Sequence, residues 1–94
     1  MTPIKTLVSF AGVDYPLVFR PLTRGDKKLL AENGISLGSA NLTEEKALEL
    51  NEYTMKNCVL SEIPDDAPFG IDTAILVLIF RFSGTGRTEA ETKN

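Results

Sequence analysis

The chain has 94 residues, of which 43% are hydrophobic and 24% charged, and its formal net charge is −3. This length fits one domain, and the hydrophobic content excludes a chain that is too polar to fold. The single cysteine excludes an internal disulfide, which suits a reducing cytoplasm.

The N-terminal segments predict a β-hairpin. Residues 4–10 and 15–20 are rich in β-branched and aromatic side chains, and the AGVD between them suits a loop of about four residues. Pro16 cannot donate a hydrogen bond to a neighbouring strand, so the second strand is expected to lie at a sheet edge near its start. The alternating residues that form the apolar face of the first strand are Ile4, Thr6, Val8 and Phe10.

A short helix is predicted after the hairpin. Thr23 is followed three residues later by Asp26, which is a capping box with a shortened acidic side chain, so the helix is expected to start at Arg24. Asn33-Gly34 provides a left-handed stop after about two turns. Gly25 weakens the helix, so we expect tertiary packing to hold it.

A longer helix is predicted from Thr43 to about Leu60. Thr43 is a good N-cap, and Glu44 and Glu45 suit the positive end of the helix. The predicted buried side consists of Ala47, Leu50, Thr54 and Cys58, widened by Leu48, Met55 and Val59. Because Cys58 falls on this side and no histidine is present to activate it, we expect a buried structural thiol.

The stretch ILVLIFRF, residues 75–82, predicts a helix that is apolar on nearly every side. Asp72 and Thr73 are expected to cap it after the acidic loop 61–70, and Gly84 is expected to end it. One predicted stripe consists of Ile71, Ile75, Leu78 and Phe82, extended by Ala74. A central strand is the alternative, because Ile, Val and Phe also favour sheets. A helix of this kind has to be surrounded by its own domain or by a partner.

These elements predict one α+β domain over residues 1–84, with an N-terminal β-hairpin followed by about three helices. Residues 85–94 are small, polar and charged, and they predict a disordered tail.

The sequence offers little catalytic or metal-binding chemistry. It has no histidine, which removes the commonest general base and metal ligand. The acidic residues of loop 61–70 lack the spacing of an EF-hand, and SGTGRT near the C-terminus lacks the lysine of a phosphate loop. We therefore expect no enzyme activity, no catalytic residue, no metal and no cofactor.

The N-terminus and the charge distribution predict a soluble, cytoplasmic protein. Residues 1–10 lack the charged start and apolar core of a signal peptide, and the longest apolar run is far shorter than the ~20 residues that cross a bilayer.

In residues 1–33 five basic side chains face three acidic ones, which is too weak an excess for nucleic-acid binding. A small basic patch is formed by Arg20, Arg24, Lys27 and Lys28. We expect it to be a solvated face, and docking of an acidic partner is the alternative.

Two stretches resemble the small tail assembly chaperones of long-tailed bacteriophages. One is FAGVDYPLVFRPLTRGDKKLL, residues 10–30, in which a strand pair precedes a polar helix start. The other is IPDDAPFGIDTAILVLIFRFSG, residues 63–84, in which a Pro-Asp loop leads into an apolar helix. The resemblance covers most of the chain and is carried by the order and character of the elements.

The resemblance implies a non-enzymatic assembly factor in the cytoplasm of a bacterial host. Such chaperones bind the long, apolar, helical tape measure protein while tail tube subunits polymerise around it. They tend to self-associate, so the expected partners are the tape measure protein, other tail proteins and further copies of this chain. The residues expected to form the contact surface are Ile75, Leu78, Ile79 and Phe82. The alternatives are a small structural tail or connector protein of the virion, or a regulatory subunit unrelated to phage.

Overall fold

The computed structural model describes residues 2–37 and 42–84 and has the α+β architecture that the sequence predicts. A two-stranded antiparallel hairpin is followed by three helices. The elements are β1 (Ile4–Phe10), β2 (Val13–Phe19), α1 (Arg24–Glu32), α2 (Glu44–Cys58) and α3 (Ile71–Ser83). The tail predicted at 85–94 lies outside the described residues.

The hairpin closes through a two-residue turn, so the predicted loop of about four residues is wrong. Ala11 and Gly12 both have positive φ angles, 54° and 82°, which define a type I′ turn. This turn matches the right-handed twist of the strands and lets β2 begin at Val13, which pairs with Phe10.

The outer side of β2 is covered by the chain that leaves α2. The amide of Arg20 donates to the carbonyl of Cys58 at 2.9 Å, and the amide of Leu60 donates to the carbonyl of Val18 at 2.7 Å. This pairing begins at Val18. The outer edge of β2 is therefore unpaired at Pro16, whose other side faces Leu7 of β1, as predicted. It also ends α2 at Cys58, two residues before the predicted end, because the backbone has to become extended to reach β2.

The caps of α1 form as predicted. The amide of Asp26 donates to Thr23 Oγ1 at 3.2 Å, and the amide of Thr23 donates to the Asp26 carboxylate at 2.8 Å. At the other end Gly34 has a φ of 81°, and the amide of Ile35 donates to the carbonyl of Leu30 at 2.9 Å. This bond belongs to a Schellman motif, in which the two apolar side chains also meet.

The helix α2 buries most of its predicted side. Leu50, Thr54 and Cys58 are buried, and Thr43 caps the helix by accepting from the amide of Lys46 at 3.1 Å. Leu48 is 57% exposed, so its assignment to the buried side is wrong. Leu48 lies two residues before the buried Leu50, or about 200° around the helix, so it points away from the core.

The apolar stretch near the C-terminus is helical, which excludes the strand alternative. The predicted cap is wrong, because α3 begins at Ile71 with Gly70 as its N-cap and has no side-chain cap. Gly70 lies against the ring of Phe10, where an added Cβ would be 2.9 Å from Cζ. Gly84 ends the helix as predicted, with a left-handed φ of 79°.

The core has two parts. The main cluster joins the inner face of the hairpin to α3 and the end of α2, and its buried members are Val8, Leu17, Phe19, Leu22, Cys58, Ile71, Ile75 and Ile79. A smaller cluster of Leu30, Ile35 and Leu50 holds α1 against α2. Within the described ranges, none of the helices has the length and apolar character that crossing a bilayer would require.

Candidate interaction surface

The predicted contact residues on α3 divide between the core and the surface. Ile75 and Ile79 are 0% exposed and pack inside the domain, so a partner cannot reach them in this fold. Leu78 is half-buried, and Phe82 is 51% exposed. Of the four residues, only Leu78 and Phe82 remain available for contact.

The sequence analysis missed Val77 as a surface residue. The buried side of α3 consists of Ile71, Ile75, Leu76 and Ile79, which turns Val77 outward and leaves it 50% exposed. Phe82 is held at the rim of the core, where its ring meets Phe19 edge-on with centroids 5.4 Å apart. The accessible parts of Val77, Leu78 and Phe82 therefore form an apolar strip along the outer side of α3.

Strand β1 borders this strip with an open backbone edge. In an antiparallel ladder alternate residue pairs exchange hydrogen bonds, and a two-residue turn makes Phe10 and Val13 such a pair. The main-chain groups of Lys5, Leu7 and Ser9 therefore point away from β2. Their amides and carbonyls have no hydrogen-bond partner in the described part of the chain.

A cleft separates the open edge of β1 from α3. The helix runs antiparallel to β1, because Gly70 touches Phe10 at one end and Phe82 stacks on Phe19, the partner of Ile4, at the other. The residues lining the cleft are Leu7, Val8, Ser9, Ala74, Val77, Leu78 and Arg81. We call this cleft, together with the open backbone of β1, the edge surface.

A second candidate site, around Asp26, is occupied by the protein's own side chains. The Asp26 carboxylate is 7% exposed and accepts hydrogen bonds from Arg20 Nη1 at 2.8 Å, from the Tyr53 hydroxyl and from Thr23. These donors come from the end of β2, from α2 and from the cap of α1. The cluster therefore joins three elements and leaves the carboxylate no free position for a ligand.

The pKa values of this cluster reflect its hydrogen bonds. Burial alone would raise the pKa of Asp26, but the bonds from Arg20, Tyr53 and Thr23 together outweigh burial and hold that pKa well below its usual range. The hydrogen bond to Asp26 raises the pKa of Arg20 and, with burial as a second cause, that of Tyr53. The folded protein thus favours a charged Asp26 and a neutral Tyr53.

The pairing of Arg20 also divides the basic patch that the sequence suggested. Arg20 is bound to Asp26, whereas Arg24, Lys27 and Lys28 are exposed on α1. The exposed part of the patch is therefore limited to these three cations on α1.

Cys58 is a buried thiol, as predicted. Its side chain is 0% exposed, and burial raises its pKa, which disfavours the reactive thiolate. Elsewhere in the described residues, no three cysteine or acidic side chains converge on a point where they could hold a metal ion.

The chain matches no protein-family model, no curated protein and no solved structure.

Proposed function

We propose that the protein is a non-enzymatic assembly chaperone of a long-tailed bacteriophage or prophage, which binds the tape measure protein in the bacterial cytoplasm. The observation that carries the proposal is the apolar strip on α3. Val77 and Phe82 are about half exposed although the helix also supplies the centre of the core. Exposed apolar surface of this kind marks contacts with other proteins.

The strip suits an apolar helical client. Covering the exposed halves of Val77 and Phe82 would each contribute about 1 kcal/mol, since full burial of such side chains contributes about 1.5–3 kcal/mol. A client helix with apolar residues three and four positions apart would lie along α3, as helices do in grooves of other binding proteins. The net charge of −3 would help to keep such a complex in solution.

The proposal predicts a gene for a very long helical protein beside the gene for this chain, and co-expression of the two proteins tests it. We expect a soluble complex that survives gel filtration, and a tape measure protein that aggregates when the chain is left out. Purified phage particles should lack the chain. Its presence in particles at fixed copy number would instead identify a structural virion component and overturn the chaperone function.

A matched pair of variants locates the contact. Phe82→Gln should weaken the complex at least tenfold, whereas Leu48→Gln, at a residue that is 57% exposed on α2, should leave it unchanged. Because Phe82 also stacks on Phe19, the melting temperature of each variant has to be measured alongside binding. Equal binding by both variants would remove α3 as the client surface.

A further inference from the structure

We propose that two copies of this chain associate through the open edges of β1 and form a continuous four-stranded antiparallel sheet, with a two-fold axis at Leu7. The proposal concerns the partner of the edge surface and does not depend on the client-binding function. It starts from the backbone of β1, whose outward amides and carbonyls lack partners in the described residues. An edge of this kind is a template for another strand.

The positions of the outward groups limit the possible registers. Only Lys5, Leu7 and Ser9 present main-chain groups to the edge, so each has to pair with one of the same three residues in the second copy. With the axis at Leu7, Lys5 pairs with Ser9 of the second copy and Leu7 pairs with itself. This register uses the full length of β1 and forms about six interchain hydrogen bonds. An axis at Lys5 would shorten the overlap and place two lysines opposite each other.

Charges on the solvent face of the sheet fit the same register. Ser9 lies opposite Asp14 within the hairpin, and its hydroxyl donates to the Asp14 carboxylate, which holds that group toward β1. In the four-stranded sheet, Lys5 of the second copy lies on the far side of Ser9, two strand spacings or about 10 Å from Asp14 along the row. A lysine side chain can span most of that distance. Lys5 and Asp14 are both exposed and form no ion pair within the described residues.

The apolar residues of the edge surface are covered in the same arrangement. Leu7 is 59% exposed on the solvent face, and at the axis it would meet its own copy. A two-fold axis perpendicular to the sheet leaves both α3 helices on the same side of the sheet. The second copy of β1 would then lie in the cleft beside Val77 and Leu78. Phe82 does not line the cleft, so it is the part of the strip on α3 that stays open to a client in the dimer.

Cysteine cross-linking tests the register directly. At an axis residue the two Cα atoms would be about 5.5 Å apart, within the range of ~4.4–6.8 Å that a disulfide accepts. We expect Leu7→Cys to form covalent dimers on mild oxidation. Ser9→Cys should not, because two copies of that position would lie about 14 Å apart. Mixing Lys5→Cys with Ser9→Cys should give mixed dimers. Cys58 is fully buried and does not interfere.

A second experiment measures the association itself. Sedimentation equilibrium of the full chain should show a dimer whose dissociation constant rises at least tenfold in Leu7→Lys. The matched control Leu48→Lys adds the same charge at a residue of similar exposure, 57% against 59%, and should leave the constant unchanged. Lys5→Glu and Asp14→Lys should each weaken the dimer, and the double variant should restore it.

Several results would overturn the proposal. One is a chain that stays monomeric at about 0.1 mM, a concentration roughly a hundred times a micromolar dissociation constant. The others are a dimer unaffected by Leu7→Lys, and cross-linking of Ser9→Cys alone. None of them bears on client binding, which is measured separately with Phe82→Gln. Retained circular dichroism in each variant shows that the domain still folds.

Discussion

At the scale of single residues, Asp26 links three elements through one carboxylate. Its carboxylate completes the cap of α1 and accepts hydrogen bonds from Arg20 on one side and Tyr53 on the other. Each of these bonds involves a charged acceptor in a mostly buried position, where such bonds contribute about 1.5–3 kcal/mol. One side chain thus fixes the relative positions of the hairpin, α1 and α2.

Replacing Asp26 with Asn should lower the free energy of unfolding by roughly 2–4 kcal/mol, because Arg20 loses its partner and the cap loses its charged acceptor. Urea denaturation at pH 7 measures the change. Asp66→Asn, in the exposed loop after α2, removes the same charge without a buried partner and should stay within about 0.5 kcal/mol. Equal effects of the two substitutions would contradict the role assigned to Asp26.

At the scale of elements, the sequence predicts both ends of α1, the start of α2 and the end of α3, but neither the start of α3 nor its buried side. The caps at Thr23 and Gly84 were predictable because capping depends on residues within one turn of the helix end. The buried side of α3 was not, because a helix that is apolar all round gives its stripes similar hydrophobicity. The position of the hairpin and α2 then decides which stripe is buried, so that Ile79 is in the core and Phe82 at its rim.

The edge surface was even less accessible to sequence analysis. The strand pattern predicts a hairpin, but it does not say which of the two outer edges another segment will cover. That choice depends on residues 58–61, which lie along the end of β2 although residues 20–57 separate them from it in the sequence. The two-residue turn at Ala11 was missed because alanine rarely adopts a positive φ, whereas the following Gly12 adopts it readily.

Two glycine substitutions at opposite ends of α1 should have opposite signs. Gly25→Ala should stabilise the protein by about 0.5–1 kcal/mol, since the position is helical and an added Cβ meets only Thr23 Oγ1, at 3.6 Å. Gly34→Ala should destabilise it by about 1–2 kcal/mol, because its φ of 81° is left-handed. Thermal unfolding followed by circular dichroism measures both. A stabilising Gly34→Ala would show that the Schellman turn can relax.

At the scale of the whole molecule, the small core leaves much apolar surface uncovered. Phe69 in the loop before α3 is 93% exposed, and Leu7, Val77 and Phe82 are about half exposed around the open edge of β1. A chain of this size buries only about 60–65% of the surface that its unfolded form exposes. Covering the edge surface with a second copy and the strip on α3 with a client would supply contacts that the domain lacks alone.

The stability of the whole molecule should depend on pH only outside the range of about 5 to 8, because the chain has no histidine and other side chains ordinarily titrate outside that range. On the acid side, Asp26 has a folded pKa below its unfolded value. Its contribution is therefore complete above about pH 4 and is lost as the pH falls below that value. On the alkaline side, Tyr53 and Cys58 have raised pKa values, through the bond to Asp26 and through burial respectively. Both favour the neutral form, so their contributions hold below their unfolded pKa values and are lost as the pH rises above about 8.5–10.

Urea midpoints measured from pH 3 to pH 11 should give a flat centre with a fall on each side. Asp26→Asn should reduce the acid fall and Tyr53→Phe the alkaline one. A slope between pH 5 and pH 8, or an acid fall that Asp26→Asn leaves unchanged, would mean that other groups control the stability of this fold.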